Sequence, residues 1–210
     1  MPIERELKFS LLDPPPGALE LESAFRGSPF ALVPGGTHTH VDRYYDDERG
    51  SLARSHLALR RRSSGASEVA ALKTRGTVSG AAHEREELEA PVEGDRWPAG
   101  ILARVREQVD VADGDALRPR FELATERTSY GVRHEGALVA TLAFDEVEAR
   151  YPDSERSALF REAEIEAADG TSLQTLQAIA ERLERLVTLT PSAVTKLQRA
   201  EAVLLLGAAL

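Results

Sequence analysis

The stretch "IERELKFSL", residues 3–11, alternates charged and apolar side chains. Glu4, Glu6 and Lys8 occupy every second position. A period of two is that of a β-strand, in which successive side chains point to opposite faces. The stretch therefore predicts a strand with one apolar face and one face that carries two carboxylates and an ammonium group. Arg5 shares the apolar face, and we expect its charged head to reach solvent near the strand's end.

The same alternation recurs later in the chain. Charged residues at alternate positions are Arg60 and Arg62, then Arg85, Glu87 and Glu89, then Glu162, Glu164 and Glu166. On a single strand this pattern is also typical of a solvent-exposed sheet face. Its repetition favours strands whose charged faces converge on one lumen. Such a lumen must hold water, ions or a charged ligand, because burying unpaired charge is costly.

About eight strands and several helices are predicted along the chain. Strand-like segments bounded by Gly, Ser or Pro follow the first one at 37–47, 56–63, 68–76, 84–92, 120–133, 137–150 and 159–168. Helices are predicted at 18–26, from Trp97-Pro98 to about Val109, at 171–189 and, beginning with Pro191, at 191–206. This order indicates the α+β class, with antiparallel strands that can close on themselves.

The composition of the chain limits its domain organisation, its partners and the kinds of metal ligand it can offer. The chain has 210 residues and is 42% hydrophobic, which predicts a single domain over residues 1–210. Its net charge of -9 argues against nucleic acid and anionic membranes as partners. It has no cysteine, so any metal must be held by carboxylates, imidazoles or carbonyls. With no signal peptide pattern and no membrane-length apolar run, we expect a cytoplasmic location.

The charged residue types suit one kind of chemistry. Clustered carboxylates bind hard divalent cations such as Mg²⁺ or Mn²⁺, and Arg and Lys arrays bind phosphate oxygens. Together they predict a site for a metal–polyphosphate complex. The sequence contains neither a Walker A loop nor a G-x-G-x-x-G fingerprint, so side-chain charge would have to do the binding.

Taken in order, these residues resemble the CYTH family, also called the triphosphate tunnel metalloenzymes. The similarity begins with E-x-E-x-K at residues 4–8 and spans the chain to about residue 200. The other matching positions are Asp42, Tyr44, Tyr45 and Asp46 in D-x-Y-Y-D, Ala58 to Arg62 in A-L-R-x-R, Lys73, Arg85, Glu87 and Glu89 in R-x-E-x-E, Arg127, Asp145 in F-D, and Glu164 to Glu166 in E-I-E. One position departs: Thr125 stands where the family often has a second base.

The resemblance implies an eight-stranded antiparallel β-barrel, a tunnel with helices packed outside. Mg²⁺ or Mn²⁺ would be held by Glu4, Glu6, Asp145, Glu164 and Glu166, with Glu87 and Glu89 holding a second metal or positioning water. Phosphates would be bound by Lys8, Arg60, Arg62, Lys73, Arg85, Arg127 and Lys196. Catalysis would rest above all on Glu4, Glu6 and Lys8.

The resemblance also implies metal-dependent hydrolysis of a triphosphate, with inorganic tripolyphosphate as the favoured substrate. Thiamine triphosphatase and class IV adenylate cyclase are alternatives within the same fold, and a polyphosphate- or nucleotide-binding module without turnover is a third. The expected partner is a small-molecule triphosphate, bound by a monomer or a homodimer.

Several charged or polar residues are expected to lie outside the site. Glu162 is expected to face solvent at the start of its strand, and Arg61 to lie on the surface. His38 and His40 have no third nitrogen or sulfur ligand nearby in sequence, so a zinc site is not predicted. Glu84 shares the alternation on the opposite face of its strand, and a bulge there would exchange the two faces.

Overall fold

The computed structural model describes residues 3–110 and 117–207. Its strands, in chain order, are β1 (Ile3–Leu11), β2 (Phe30–Asp46), β3 (Ala58–Ser64), β4 (Ser67–Lys73), β5 (Thr77–Ser79), β6 (Ala82–Pro91), β7 (Arg118–His134), β8 (Ala137–Arg150), β9 (Ser157–Ala167) and β10 (Thr190–Pro191). Its helices are α1 (Ala18–Phe25), α2 (Ser51–Arg54), α3 (Ala99–Gln108), α4 (Leu173–Leu183) and α5 (Lys196–Gly207). Within the described ranges, no helix is long and apolar enough to cross a membrane.

Eight of the strands form a closed antiparallel barrel. The order around it is β1-β9-β8-β7-β2-β3-β4-β6, and β6 pairs with β1 to complete the ring. The short strands β5 and β10 are added outside the ring, on β6 and β1 respectively. The predicted α+β class and barrel are therefore confirmed. Closure brings the charged faces of all eight strands to one interior.

The apolar faces of the strands lie outward beneath the helices. On one side, Leu7 and Phe9 of β1 belong to a core that α1 and α4 cover, with Leu21 and Ile179 fully buried. On another side, α3 packs Ile101 against β3 and β4. Together these cores cover the outside of the barrel with apolar contacts, which leaves its interior for polar side chains.

Helix α5 packs differently, against inward-facing side chains. Its residues Ala200 and Leu204 join a third apolar cluster that includes Tyr44 of β2 and Phe160 of β9. Lys196, the first residue of α5, is consequently placed at the wall of the tunnel.

The second strand begins earlier than the predicted 37–47, and one expectation about Pro is wrong. Pro34 and Gly36 lie inside β2, where the register with β7 shifts in a bulge. Pro191 does not begin the last helix, since it pairs with Phe9 in the edge strand β10. An edge strand tolerates proline because its outer side needs no N–H donor. Helix α5 begins five residues later.

Candidate functional site: a charged tunnel

The interior of the barrel contains a polar cavity of about 230 Å³. Of the residues predicted for the site, those that line it are Glu4, Glu6, Lys8, Arg60, Arg62, Lys73, Arg85, Glu87, Glu89, Arg127, Glu164, Glu166 and Lys196. They come from β1, β3, β4, β6, β7, β9 and α5. The alternation of each strand thus converges on one space, and only Asp145 of the predicted set is absent from the lining.

Glu4 and Glu6 of β1 face the basic residues of β4 and β6. Glu4 accepts hydrogen bonds from Lys73 Nζ at 2.8 Å and from Arg85 Nε at 2.8 Å. Arg85 Nη2 also donates to Glu6 Oε1 at 3.1 Å. Burial alone would raise the pKa of Glu4, but the charges of Lys73 and Arg85 outweigh it and lower that pKa to about 2. Glu4 is therefore ionised at neutral pH.

Lys8 links β1 to β9 inside the tunnel. Its Nζ lies 2.8 Å from Glu164 Oε1 and 3.4 Å from Glu6 Oε1, and its side chain is almost completely buried. Burial would lower the pKa of Lys8, but Glu164 and Glu6 raise it overall. The ammonium group is therefore charged and shared between two acids.

Among the acids of the tunnel described so far, Glu166 is the one whose charge is least offset by neighbouring cations. Burial raises its pKa to about 7, and the nearby charges of Glu4 and Glu6 act in the same direction. Glu164, by contrast, has its pKa held well below the usual range, because Lys196 and Lys8 outweigh its burial. Glu166 can therefore take up a proton near neutral pH, whereas Glu164 stays ionised.

The arginines of β3 form the opposite wall. Arg60 Nη2 lies 3.3 Å from Glu89 Oε1 and 3.7 Å from Glu87 Oε1. Arg62 donates two hydrogen bonds to Asp42 on β2, at 2.7 and 2.8 Å. Both guanidinium groups are thus held in place from behind while they line the cavity.

Asp145 lies beneath the cavity wall and has no exposed surface. Arg127 donates to it through Nε at 2.7 Å, and Lys196 Nζ contacts its other oxygen. Burial would raise the pKa of Asp145, but Lys196 and Arg127 lower it overall. In this arrangement Asp145 orients two cations, and its predicted role as a metal ligand stays a prediction.

Glu87 and Glu89 line the cavity as expected, so the strand register has not exchanged the faces of β6. Glu87 Oε2 lies 3.2 Å from Lys73 Nζ. Burial raises the pKa of Glu87, and the charge of Glu4 adds to that effect against the pull of Lys73. Glu89 is half exposed, with 53% of its side chain accessible, which places it nearer the tunnel mouth.

Three expectations for residues outside the site need revision. Glu162 does not face solvent: it is 1% exposed and lies inside the barrel near Lys196. Arg61 is not on the surface, because its guanidinium stacks 4.6 Å from the centre of the Trp97 ring and is 9% exposed. Arg5 does not simply extend into solvent, since its Nε pairs with Glu84 at 2.8 Å with both side chains partly exposed.

The sequence interpretation gave no role to Asp42, which the structure places behind Arg62. Asp42 is fully buried, and burial would raise its pKa, but Arg60 and Arg62 hold that pKa far below the usual range. Tyr44, two residues on, lines the cavity with Thr195 and Leu197. The period of two did place Asp42 and Tyr44 on one face, but only the register of β2 with β3 shows that this face is the inner one.

The acids could hold a divalent metal, although their side chains are now turned to cations. Among residues 3–110 and 117–207, no three carboxylate or imidazole side chains are gathered closely enough to hold a metal ion. The donor set nevertheless fits Mg²⁺ or Mn²⁺, because Glu4, Glu6, Glu164 and Glu166 present hard oxygen donors to one cavity.

His38 and His40 lie apart from this donor set. His38 is exposed and contacts the Gly35 carbonyl, whereas His40 is buried beside Asp42 at 3.7 Å. Neither lines the cavity.

Several solved structures share this fold. A proposed adenylyl cyclase from Hippeastrum, whose triphosphatase activity is dominant, is 23% identical over 95% of both chains with a TM-score of 0.62. A proposed adenylate cyclase from Bacillus halodurans is 18% identical over 95% of this chain and 98% of that one, also with a TM-score of 0.62. The mimivirus capping enzyme triphosphatase is 10% identical over 87% and 88%, with a TM-score of 0.51.

These identities are low enough that the likeness speaks for the fold alone. No curated protein matches the chain. The model of the CYTH domain family, however, matches residues 2–200, nearly the whole sequence. That match covers every strand of the barrel and the first turn of α5. The chain belongs to the CYTH domain family.

Proposed function

We propose that this protein hydrolyses a triphosphate in a divalent-metal-dependent reaction, with inorganic tripolyphosphate as its principal substrate. The observation that carries the proposal is the lining of the cavity, where seven predicted phosphate-binding cations face a set of carboxylates within about 230 Å³. Binding of an anion alone would need the cations but not so many acids. Both sets together suit a polyphosphate bound as its metal complex.

The phosphate oxygens would be bound by the cations of three regions. Arg60 and Arg62 form one wall, Lys73 and Arg85 a second, and Lys8, Arg127 and Lys196 a third. Their charge would orient the chain of phosphates and stabilise the negative charge that shifts during phosphoryl transfer. Their present ion pairs with the acids of the tunnel keep them ordered before substrate arrives.

The metal would be held by Glu4, Glu6, Glu164 and Glu166, with Asp145 behind them and Glu87 and Glu89 available for a second ion. Mg²⁺ or Mn²⁺, when bound, would polarise the attacking water and neutralise phosphate charge. Glu4 is ready for such a role because its pKa of about 2 keeps it ionised. Lys8 lies between Glu6 and Glu164, at the boundary of the acidic and phosphate-binding regions.

Inorganic tripolyphosphate is favoured because the cavity is small and its lining is dominated by charge. Thiamine triphosphate and ATP remain alternative substrates, the second of them for cyclisation or hydrolysis. The Hippeastrum protein has triphosphatase activity and the mimivirus protein is a triphosphatase, which agrees with hydrolysis but is a property of those proteins. We further propose a single domain over 1–210, a cytoplasmic location, and a monomer or homodimer that binds neither nucleic acid nor membrane.

A side-by-side assay tests the proposal. The purified chain is incubated with tripolyphosphate, thiamine triphosphate or ATP, with Mg²⁺, Mn²⁺ or EDTA, and both phosphate and cyclic AMP are measured. We expect metal-dependent phosphate release, greatest from tripolyphosphate and absent with EDTA. Glu4→Gln and Glu6→Gln should lose nearly all turnover, and Glu148→Gln, on the outer face of β8, should keep it.

Other results of this assay would indicate a different function. Cyclic AMP as the main product from ATP would indicate a cyclase. Tight binding of tripolyphosphate without product after long incubation with Mn²⁺ would indicate a binding module. Normal turnover in both Glu4→Gln and Glu6→Gln would refute the metal assignment.

A further inference from the structure

Four neighbouring strands place a row of polar side chains on the inner wall of the barrel. Ser10 of β1 is paired with Glu162 of β9, Glu162 with Asp145 of β8, and Asp145 with Arg127 of β7. The first turn of α5 lies over this row. Lys196, at the start of that turn, contacts Asp145.

Glu162 lies in the middle of the row and has unusual surroundings for a carboxylate. It is 1% exposed, and neither of its oxygens has a hydrogen-bond partner among the described residues. Two cations of α5 flank it, with Arg199 Nη1 3.6 Å from Oε1 and Lys196 Nζ 3.7 Å from Oε2. A buried carboxylate without hydrogen bonds is destabilising, so its electrostatic contact with α5 is what offsets the cost.

Arg199 is itself fixed by two further contacts. Its guanidinium donates to Ser10 Oγ and lies 5.1 Å from the centre of the Phe160 ring. Lys196 and Arg199 are three residues apart and therefore share one face of the helix. Glu162 is the carboxylate that faces both of them, so it sets how the first turn of α5 sits against β9.

Lys196 has three acidic neighbours, and they differ in whether they also belong to the proposed metal-binding set. Asp145 contacts its Nζ, and Glu164 Oε1 lies 3.4 Å from it. Both of those acids belong to the proposed metal-binding set. Glu162 is outside that set and does not line the cavity. If Asp145 and Glu164 held a metal, Glu162 would remain as the acidic partner of the Lys196 ammonium group.

We propose that Glu162 is a positioning residue that, through Arg199 and Lys196, holds the first turn of α5 so that the Lys196 ammonium group faces the phosphates in the tunnel. The inference rests on the proposed function, because it assigns Lys196 to the bound triphosphate. Glu162 touches neither metal nor substrate in this arrangement. Its loss should therefore weaken substrate binding more than it slows the chemical step.

The first test is Glu162→Gln, which keeps the size of the side chain and removes its charge. KM for tripolyphosphate with Mg²⁺ should rise about fivefold or more, because Lys196 must then be ordered at the expense of binding. The value of kcat should change less than about twofold. The matched control is Glu148→Gln on neighbouring β8, an acid that faces outward, for which neither constant should change.

A second variant separates positioning from folding. Arg199→Gln removes the cation that faces Glu162, and the Arg199 side chain is partly exposed. This variant should raise KM to a similar extent. Arg199→Lys keeps the charge and should retain most of the affinity. The double variant Glu162→Gln/Arg199→Gln should be no worse than the more severe single variant, because both act through one contact.

Three results would overturn the inference. One is a fall in kcat with KM unchanged, which would place Glu162 in the chemical step. Another is an unchanged KM in folded Glu162→Gln protein, and the third is full additivity in the double variant. If the wild-type chain proves not to hydrolyse tripolyphosphate, its calorimetric affinity for that anion in each variant still tests Glu162, so the two failures are distinguishable.

Discussion

Asp42 and Arg62 lie directly opposite each other on β2 and β3, and their side chains share two hydrogen bonds of 2.7 and 2.8 Å. Asp42 also lies 3.7 Å from Arg60 Nη1 and has no exposed surface. One buried carboxylate therefore orients both arginines of the phosphate-binding wall. Such an arrangement fixes the cations before a ligand arrives, which lowers the cost of binding.

Asp42→Asn should destabilise the fold as well as weaken the site. Removing one partner of a buried ion pair leaves the remaining guanidinium groups without their counter-charge, and the free energy of unfolding should fall by about 3 kcal/mol. Urea unfolding at pH 7 measures this change. Asp153→Asn is the control, because Asp153 is exposed in a loop, and it should change stability very little. A loss below about 1 kcal/mol for Asp42→Asn would contradict this account.

Arg60 and Arg61 are adjacent on β3 and should give opposite results. Arg60 faces the cavity, and Arg60→Gln should raise KM for tripolyphosphate about ten- to a hundredfold, the worth of one charged hydrogen bond. Arg61 faces outward, stacks on Trp97 and donates to the Asp95 carbonyl at 2.8 Å. Arg61→Gln should lower the free energy of unfolding by about 1 kcal/mol and leave KM unchanged.

The two variants control for each other, since the substitution and the strand are the same. Steady-state kinetics gives KM for each variant, and urea unfolding gives the free energy of unfolding of each. A rise in KM for Arg61→Gln equal to that for Arg60→Gln would mean that the two faces of β3 have been assigned wrongly.

Because His40 is buried, we expect the protein to lose stability in mild acid. Burial and the charges of Arg62 and Arg127 lower its pKa from 6.5 to about 4, against the opposing effects of Asp42 and Asp145. Between these two values the unfolded chain binds a proton that the folded chain does not, so stability falls as pH falls. The free energy of unfolding should therefore fall by about 2 kcal/mol between pH 7 and pH 5, and His40 should change it hardly at all above pH 7.

The measurement is urea unfolding at pH 7 and pH 5 for the wild type and for His40→Gln, whose side chain does not titrate. The wild type should lose about 2 kcal/mol more than the variant over this interval. Comparison of the two proteins removes the part that carboxylates contribute. Equal losses in both proteins would show that His40 titrates normally in the folded state.

Tripolyphosphate with Mg²⁺ should raise the melting temperature. A ligand that binds only the folded state at about a hundred times its Kd adds about 2.7 kcal/mol, which corresponds to a rise of about 5–10 °C for a chain of this size. Thermal unfolding with and without EDTA separates the contribution of the metal. Sodium sulfate at equal ionic strength is the control for salt. No shift at millimolar tripolyphosphate would argue against a ligand in the tunnel.

Much of the fold could be predicted from the period of two. Glu4, Glu6 and Lys8 share a face in the sequence as they do in the barrel, because that alternation is local and needs no knowledge of partners. The helix predicted at 171–189 is present as α4, although it ends at Leu183; the Thr175 N–H donates to Ser172 Oγ at 3.2 Å at its start, and Leu176 and Leu183 are buried.

What could not be predicted depends on strand register and tertiary burial. Glu162 alternates with Glu164 and Glu166, but its burial results from α5, which packs over it from far along the chain. The burial of Arg61 has a similar cause, since Trp97 covers it from the segment before α3. In both cases the local pattern is compatible with solvent, and a distant element supplies the contact.

The closure of the barrel by β1 has a consequence for how the chain folds. β1 precedes the other described strands in the sequence, yet it pairs with β9 and β10, which lie more than 140 residues further along, as well as with β6. Glu4 of this strand can meet Lys73 and Arg85 early, whereas Lys8 lacks its partner Glu164 until β9 has been synthesised. Contacts so distant in sequence are slow to form. We expect completion of the ring to be the late step of refolding, and a chain truncated before β9 to collapse without ever closing.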